Sequence, residues 1–126
     1  MEALPLIVVD AANVVGSVPD GWWRDRRGAT ERLRDRLAGY ATAGLADWPG
    51  PVEIVLVVEG AARGVESTDA VRVVAAPGSG DDRIVRLAEE EGRGRRCLVV
   101  TADRELRHRV RELGAEVAGA RTVAGP

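Results

Sequence analysis

Leu4-Pro-Leu-Ile-Val-Val-Asp10-Ala-Ala-Asn13 opens with an apolar, largely β-branched run that stops at a carboxylate. An apolar run without polar alternation reads as a strand covered on both faces, and such strands belong to parallel sheets flanked by helices. The reading repeats along the chain: Val52–Val58 follows the Pro49-Gly50-Pro51 break, then come Val71–Ala75, Cys97–Val100 and a short Ala115–Ala118. Helical spacing lies between them. From Thr30 to Gly44, the residues Leu33, Leu37, Tyr40 and Ala41 form one face, with Arg32, Arg34, Asp35 and Arg36 turned outward. Asp81 and Asp82 open a second helix with Ile84, Leu87 and Ala88 on its apolar side. A third starts near Asp103, carries Leu106, Val110 and Leu113 inward, and is capped by Gly114. The stretch Gly60–Ala70 is too short for a packed crossover helix, so a loop or partial helix is expected there. The expected architecture is α/β: one domain over residues 1–126, a three-layer sandwich around a mostly parallel five-stranded sheet.

Composition removes several chemistries. At 126 residues and 45% apolar content the chain can bury one core, and its charges interleave with apolar runs instead of forming blocks. A formal charge of −2 excludes a histone-like basic protein but not a local nucleic-acid site. All 18 basic residues are arginine, so P-loop, Schiff-base and receiver-domain mechanisms, which need a lysine, are excluded. The single histidine, His108, falls on an outward helix position and is expected at the surface. Cys97, the one cysteine, makes neither an internal disulfide nor a zinc cluster and is expected as a reduced core thiol. The longest apolar stretch is the five-residue Ile54–Val58, far below a membrane span, and the chain starts almost at once in a strand. A cytoplasmic protein with no membrane partner is the resulting expectation.

The informative residues are at the strand ends. Strand one ends in Asp10 and Asn13, strand two in Glu59, strand three runs through Pro77-Gly78-Ser79-Gly80 into Asp81 and Asp82, and strand four ends in Thr101 and Asp103. Taken singly, Asp81, Asp82 and Thr101 read as ordinary helix caps. Asp10 reads differently, because no helical pattern follows it directly, and Asn13, the only carboxamide, has no helix nearby to cap. In a parallel sheet, ligands gather beyond the carboxyl ends of the strands, and four of five ends here carry acids. Carboxylates so gathered raise one another's pKa until protons or a cation neutralise them. Oxygen donors without His or Cys suit Mg²⁺ or Mn²⁺, whose bound water is a nucleophile for phosphodiester cleavage.

Three stretches, Asp10-Ala-Ala-Asn13-Val, Asp81-Asp82-Arg-Ile-Val-Arg-Leu-Ala88 and Leu98-Val-Val-Thr-Ala-Asp103, together resemble the signature of NYN domains, the YacP-like branch of the PIN-like nuclease superfamily. The resemblance spans nearly the whole chain. It implies a PIN-like sheet and a metal-dependent ribonuclease, with Asp10, Asn13, Asp81, Asp82 and Asp103 at the acidic site. Asp10, Asp81, Asp82 and Asp103 would be the metal ligands, and Thr101 a supporting hydroxyl. Many relatives end strand two in Phe-Asp-Gly; here Val58-Glu59-Gly60 puts a longer carboxylate in that place, as a second supporting group.

Arginines sort by sheet edge. Arg24, Arg26, Arg27, Arg63, Arg104 and Arg107 follow strand ends and are expected near the acids, whereas Arg93, Arg95 and Arg96 precede strand four and are expected at the opposite edge. With Trp22 and Trp23, one expected buried and one exposed, the first group supplies cations for an RNA backbone and planes for its bases. Trp48 is expected to cover the loop into strand two. A non-catalytic RNA-binding module on the same fold is the alternative reading. A phosphatase is the third, though Asp10-Ala-Ala lacks the Asp-x-Asp of the haloacid-dehalogenase type. A homodimer and a ribosomal or RNA-processing partner are both compatible with the chain, and the sequence selects neither.

Overall fold

The structure is a computed structural model that describes residues 3–45 and 47–124. In chain order the strands and helices are β1 (Leu6–Asp10), α1 (Ala11–Gly16), α2 (Arg26–Ala43), β2 (Gly44–Leu45), β3 (Trp48–Pro49), β4 (Glu53–Val58), β5 (Val71–Ala75), α3 (Gly80–Glu90), β6 (Cys97–Val100), α4 (Arg104–Glu112), β7 (Glu116–Ala118) and α5 (Arg121–Ala124). Single 3₁₀ turns occupy Trp22–Arg24 and Gly60–Ala62, the latter within the stretch expected to lack a full helix. Five strands form one sheet in the order β5-β4-β1-β6-β7, and every pairing in it is parallel.

β1 lies at the centre of the sheet, and its Leu6, Ile7, Val8 and Val9 are all fully buried. The two-residue period divides them between two layers. Ile7 and Val9 pack with Val14, Leu33, Leu37 and Val123 on the α1, α2 and α5 side. Leu6 and Val8 pack with Ile84, Leu87, Leu106 and Val110 on the α3 and α4 side. This is the expected three-layer sandwich.

Local departures have identifiable causes. α2 starts at Arg26, not Thr30, because the Asp25 carboxylate caps it by accepting the Gly28 N–H at 2.9 Å. It ends at Gly44, whose φ of +82° turns the chain into the β2–β3 hairpin; a Cβ there would meet the Trp48 carbonyl. The hairpin buries Trp48 in the core, with the Arg96 guanidinium 3.8 Å from its ring centroid. Leu113, expected inward, is 42% exposed. α4 stops at Glu112 and Gly114, at φ +91°, closes a Schellman motif: Ala115 N–H donates to the Val110 carbonyl and Gly114 N–H to that of Arg111. Leu113 therefore leaves the helical face, and the buried Ala115 takes its place beside Val110.

The strand order sets where a ligand can sit. The chain builds outward from β1 through β4 to β5, then returns to the other side of β1 for β6 and β7. The reversal falls between β1 and β6, the position at which open parallel sheets part their connections and leave a crevice beyond the carboxyl ends. Register pairs Val9 with Val100, so the next residues along the two strands, Asp10 and Thr101, become neighbours at that crevice.

Candidate active site

Asp10 is a buried polar residue at the end of the central strand. A short helix does follow it, contrary to the sequence expectation: α1 starts at Ala11, and Asp10 is its N-cap, with Oδ1 accepting the Asn13 N–H at 3.4 Å. Six residues, Ala-Ala-Asn-Val-Val-Gly, are too few to display a helical period in sequence. The other carboxylate oxygen accepts from the Thr101 hydroxyl at 2.9 Å, across the crevice. Thr101 is itself fully buried, and its Oγ1 also accepts the Asp103 N–H at 3.2 Å. Asn13 completes the bridge: its Oδ1 accepts the Ala102 N–H at 2.9 Å, fastening α1 to the end of β6. Asp103 caps α4 through Leu106 N–H at 2.9 Å, and the Arg107 guanidinium donates to the Thr101 carbonyl at 2.7 Å.

Two further acids approach from the other side of β1. Glu59, one residue past β4, accepts the Gly80 N–H through Oε2 and so ties the β4 end to the start of α3. Asp81 stands in the first turn of α3, whose N-cap is Ser79, with Oγ accepting the Asp81 N–H at 3.1 Å. The charges of these groups act on one another. Burial lifts the Asp10 pKa from 3.8 to about 6; the Thr101 and Asn13 hydrogen bonds oppose the rise, and the charges of Asp81 and Glu59 add to it. Asp81 is also raised, by burial first and then by Asp103 and Glu59, while Arg109 pulls it down. Asp82 takes a different direction: its side chain is 83% exposed and pairs with Arg109 of α4 at 3.1 Å. Asp82 is not among the charges acting on Asp10.

Among the described residues, no three His, Cys, Asp or Glu side chains stand close enough to form a ready-made metal cage. The donor chemistry nonetheless fits a hard divalent cation. Mg²⁺ accepts one or two carboxylates and keeps several waters, and the charges acting on buried Asp10 are all negative, an imbalance that a cation relieves. Glu59→Gln tests this balance: glutamine can still accept the Gly80 N–H, but one negative charge is lost. Carboxyl titration by NMR in EDTA should show the Asp10 midpoint moving down from about 6 by a small step, because burial, which the substitution leaves in place, is the main cause of the rise. An unmoved or higher midpoint would show that Glu59 does not act on Asp10.

The candidate RNA contacts fall into three sets. The Trp22 and Trp23 rings meet edge to face at 6.0 Å; Trp23 is the exposed ring expected, at 57%, while Trp22 is only half-buried where a buried ring was expected. Arg26 lies 5.3 Å from the Trp22 centroid and Arg24 5.9 Å from that of Trp23. Arg27 reaches the Gly64 carbonyl at 3.4 Å, and Arg63 those of Gly60 and Pro77 at 3.3 and 3.5 Å. Arg104 is exposed at the start of α4, and Arg107 is half-buried against Thr101. Arg95 and Arg96 lie at the opposite edge as expected, bonded to Glu53 and Glu116. His108 is exposed and pairs with Glu112, while burial pushes the Cys97 thiol up to about 11, as for an inert core cysteine. Sequence pattern does not single out Arg109 or Ser79, whose roles depend on the packing of α4 on α3 and on the cap position. Nor does it point to a cleft of about 250 Å³ beside the acids, walled by Ala11, Ala12, Val15, Trp22, Arg26 and Glu59 among others.

The fold that carries this site is shared with solved structures. The fold is similar to that of YacP. The crystal structure of Rae1 (YacP) from Bacillus subtilis matches with a TM-score of 0.75 at 19% identity, over 97% of this chain and 71% of that one. A point mutant of the same protein matches at 0.76 and 19%, over 95% and 72%. No family profile matches the chain, and no curated protein matches it in sequence. At this identity the likeness is one of fold. Among the described residues, no helix is long and apolar enough to cross a membrane.

Proposed function

We propose that the protein is a divalent-metal-dependent endoribonuclease working at the carboxyl edge of its sheet. One observation carries the reading: a buried carboxylate, Asp10, is held at the strand-order reversal beside the charges of Asp81 and Glu59, which add to the burial that pushes its pKa up to about 6. Burying such a group is costly unless a partner arrives to meet it. The YacP-like fold and the NYN-like motifs support the same reading.

In this scheme Asp10, Asp81 and Asp103 would hold Mg²⁺ or Mn²⁺, with Asp82 at the margin because of its pairing with Arg109. When bound, such an ion supplies a Lewis acid for the phosphoryl group and lowers the pKa of a water. The rest falls to the chain's own side chains. Thr101 holds the Asp10 carboxylate in orientation, Asn13 fixes the β6 end against α1, and Glu59 sets the start of α3 through Gly80. Arg24, Arg26, Arg27, Arg63, Arg104 and Arg107 supply cations for the RNA backbone, so binding should weaken with salt.

The test is incubation of the purified protein with single-stranded RNA in Mn²⁺, Mg²⁺ or EDTA, alongside p-nitrophenyl phosphate. The expected result is internal RNA cleavage with either metal, none in EDTA, and an intact phosphomonoester. RNA bound but uncut under every divalent ion would instead favour the non-catalytic binding module. Hydrolysis of the phosphomonoester with RNA untouched would make the protein a phosphatase.

A further inference from the structure

The cleft beside the acids has walls of a kind that the cluster does not explain. α1 contributes Ala11, Ala12 and Val15, all small or apolar, and Ala11 directly follows Asp10 in the chain. Gly60 and Gly78 also line it and add to the small surface. Trp22 supplies a flat ring, with the Arg26 guanidinium 5.3 Å from its centroid, and both line the same space. Glu59 belongs to both the cleft and the charge cluster, so the two adjoin. Arg63, bonded to the carbonyls of Gly60 and Pro77, stands next to cleft residues Gly60 and Gly78. At about 250 Å³ the cleft has room for one planar heterocycle.

We propose that this cleft seats a single nucleobase of single-stranded RNA, from a nucleotide adjoining the phosphate that is cut. The inference rests on the ribonuclease reading and adds to it a base-binding subsite with named walls. An aromatic ring and a guanidinium plane are the two surfaces on which unpaired bases stack, and they recognise a π-face without regard to sequence. The small side chains leave room for the ring, and Arg26 in the cleft wall and Arg63, bonded to the loop carbonyls beside it, place positive charge near the backbone. A base held in a duplex cannot enter, so the cleft selects unpaired RNA.

Two variants probe it without touching the acids. Trp22→Ala removes the ring. Ala12→Leu fills the cleft from an exposed helix position and leaves the core intact. Each should lower kcat/KM on a labelled single-stranded oligoribonucleotide in Mn²⁺ roughly 10- to 100-fold, the range expected for loss of one base–aromatic stack. In wild type, placing an abasic nucleotide at each position in turn should reproduce that loss at one position beside the cut. The variants should lose nothing further there. Losses that multiply, or Ala12→Leu cutting at the wild-type rate, would overturn the proposal. Should Trp22→Ala fail to fold, Ala12→Leu decides alone. Binding separates this idea from the nuclease reading: in an Asp10→Asn background with EDTA, Ala12→Leu should still weaken oligonucleotide affinity 10-fold or more. That result stands even if wild type cuts no RNA, whereas unchanged affinity refutes the base seat even if wild type cuts well.

Discussion

Asp10→Asn should make the metal-free protein more stable at pH 7 by about 3 kcal/mol. The folded pKa of Asp10 is raised from 3.8 to about 6, so the fold disfavours the charged form. Its contribution is therefore intact below pH 4 and is lost as the pH rises through 6, at about 1.4 kcal/mol for each tenfold change in proton affinity. Asparagine does not titrate, and it retains an oxygen for the Asn13 N–H that Asp10 now accepts. Denaturant unfolding in EDTA should show the two proteins equal near pH 4 and diverging to the full gap by pH 7. Mn²⁺ should reverse the ranking, because an ion that binds only the folded wild type stabilises it by mass action. A gap that is absent at pH 7, or that is largest at pH 4, would mean that Asp10 is not a strained carboxylate.

Thr101→Val should act in the opposite direction. The two side chains are nearly the same size, so the change removes a hydroxyl and little else. That hydroxyl donates to Asp10 and accepts from the Asp103 N–H, all within a fully buried position. Valine leaves a buried carboxylate oxygen and a backbone N–H unpaired, at about 1–3 kcal/mol for each such group. The loss should be greater at pH 7 than at pH 4, because a protonated Asp10 has less need of the donor. Mn²⁺-supported RNA cleavage should fall about 10- to 100-fold, the usual effect of removing a group that orients a metal ligand. Retention of both stability and cleavage would show that Thr101 is only a core residue, while loss of stability with unchanged cleavage would confine it to the fold.

The physics of these residues explains what could be read before the fold was known. The parallel sheet was legible because Leu6–Val9, Ile54–Val58 and Cys97–Val100 are apolar on both faces, and only strands buried between two helical layers need that. The strand order was not, since it depends on which side of β1 each connection takes. α1 escaped detection because six residues hold less than two turns, and with it went the correct reading of Asp10 as both a cap and a buried charge. α5 and the β2–β3 hairpin are too short to carry a period at all.

The acids themselves were visible as strand ends. What joins them was not. The Asp10–Thr101 hydrogen bond links residues 91 positions apart and exists only because β6 lies beside β1. The pairing of Asp82 with Arg109 needs the packing of α4 on α3, which sequence periodicity does not specify. The Trp22 cleft likewise requires α1, the 3₁₀ turn at Trp22–Arg24 and the Glu59 loop to meet in space. Chemistry that depends on a residue type at a strand end is legible, whereas chemistry that depends on a neighbour across the sheet is not.

On the proposed reading, Asp10 anchors a divalent cation at the acidic edge of the sheet and makes it a ribonuclease site. The most direct measurement is single-turnover cleavage of one labelled single-stranded RNA in Mn²⁺ at pH 7 by wild type and Asp10→Asn, each shown to be folded by its unfolding curve. Cleavage by wild type, with a loss of about 100-fold or more in the variant despite its greater stability, is the predicted result. Equal cleavage by the two proteins would contradict it.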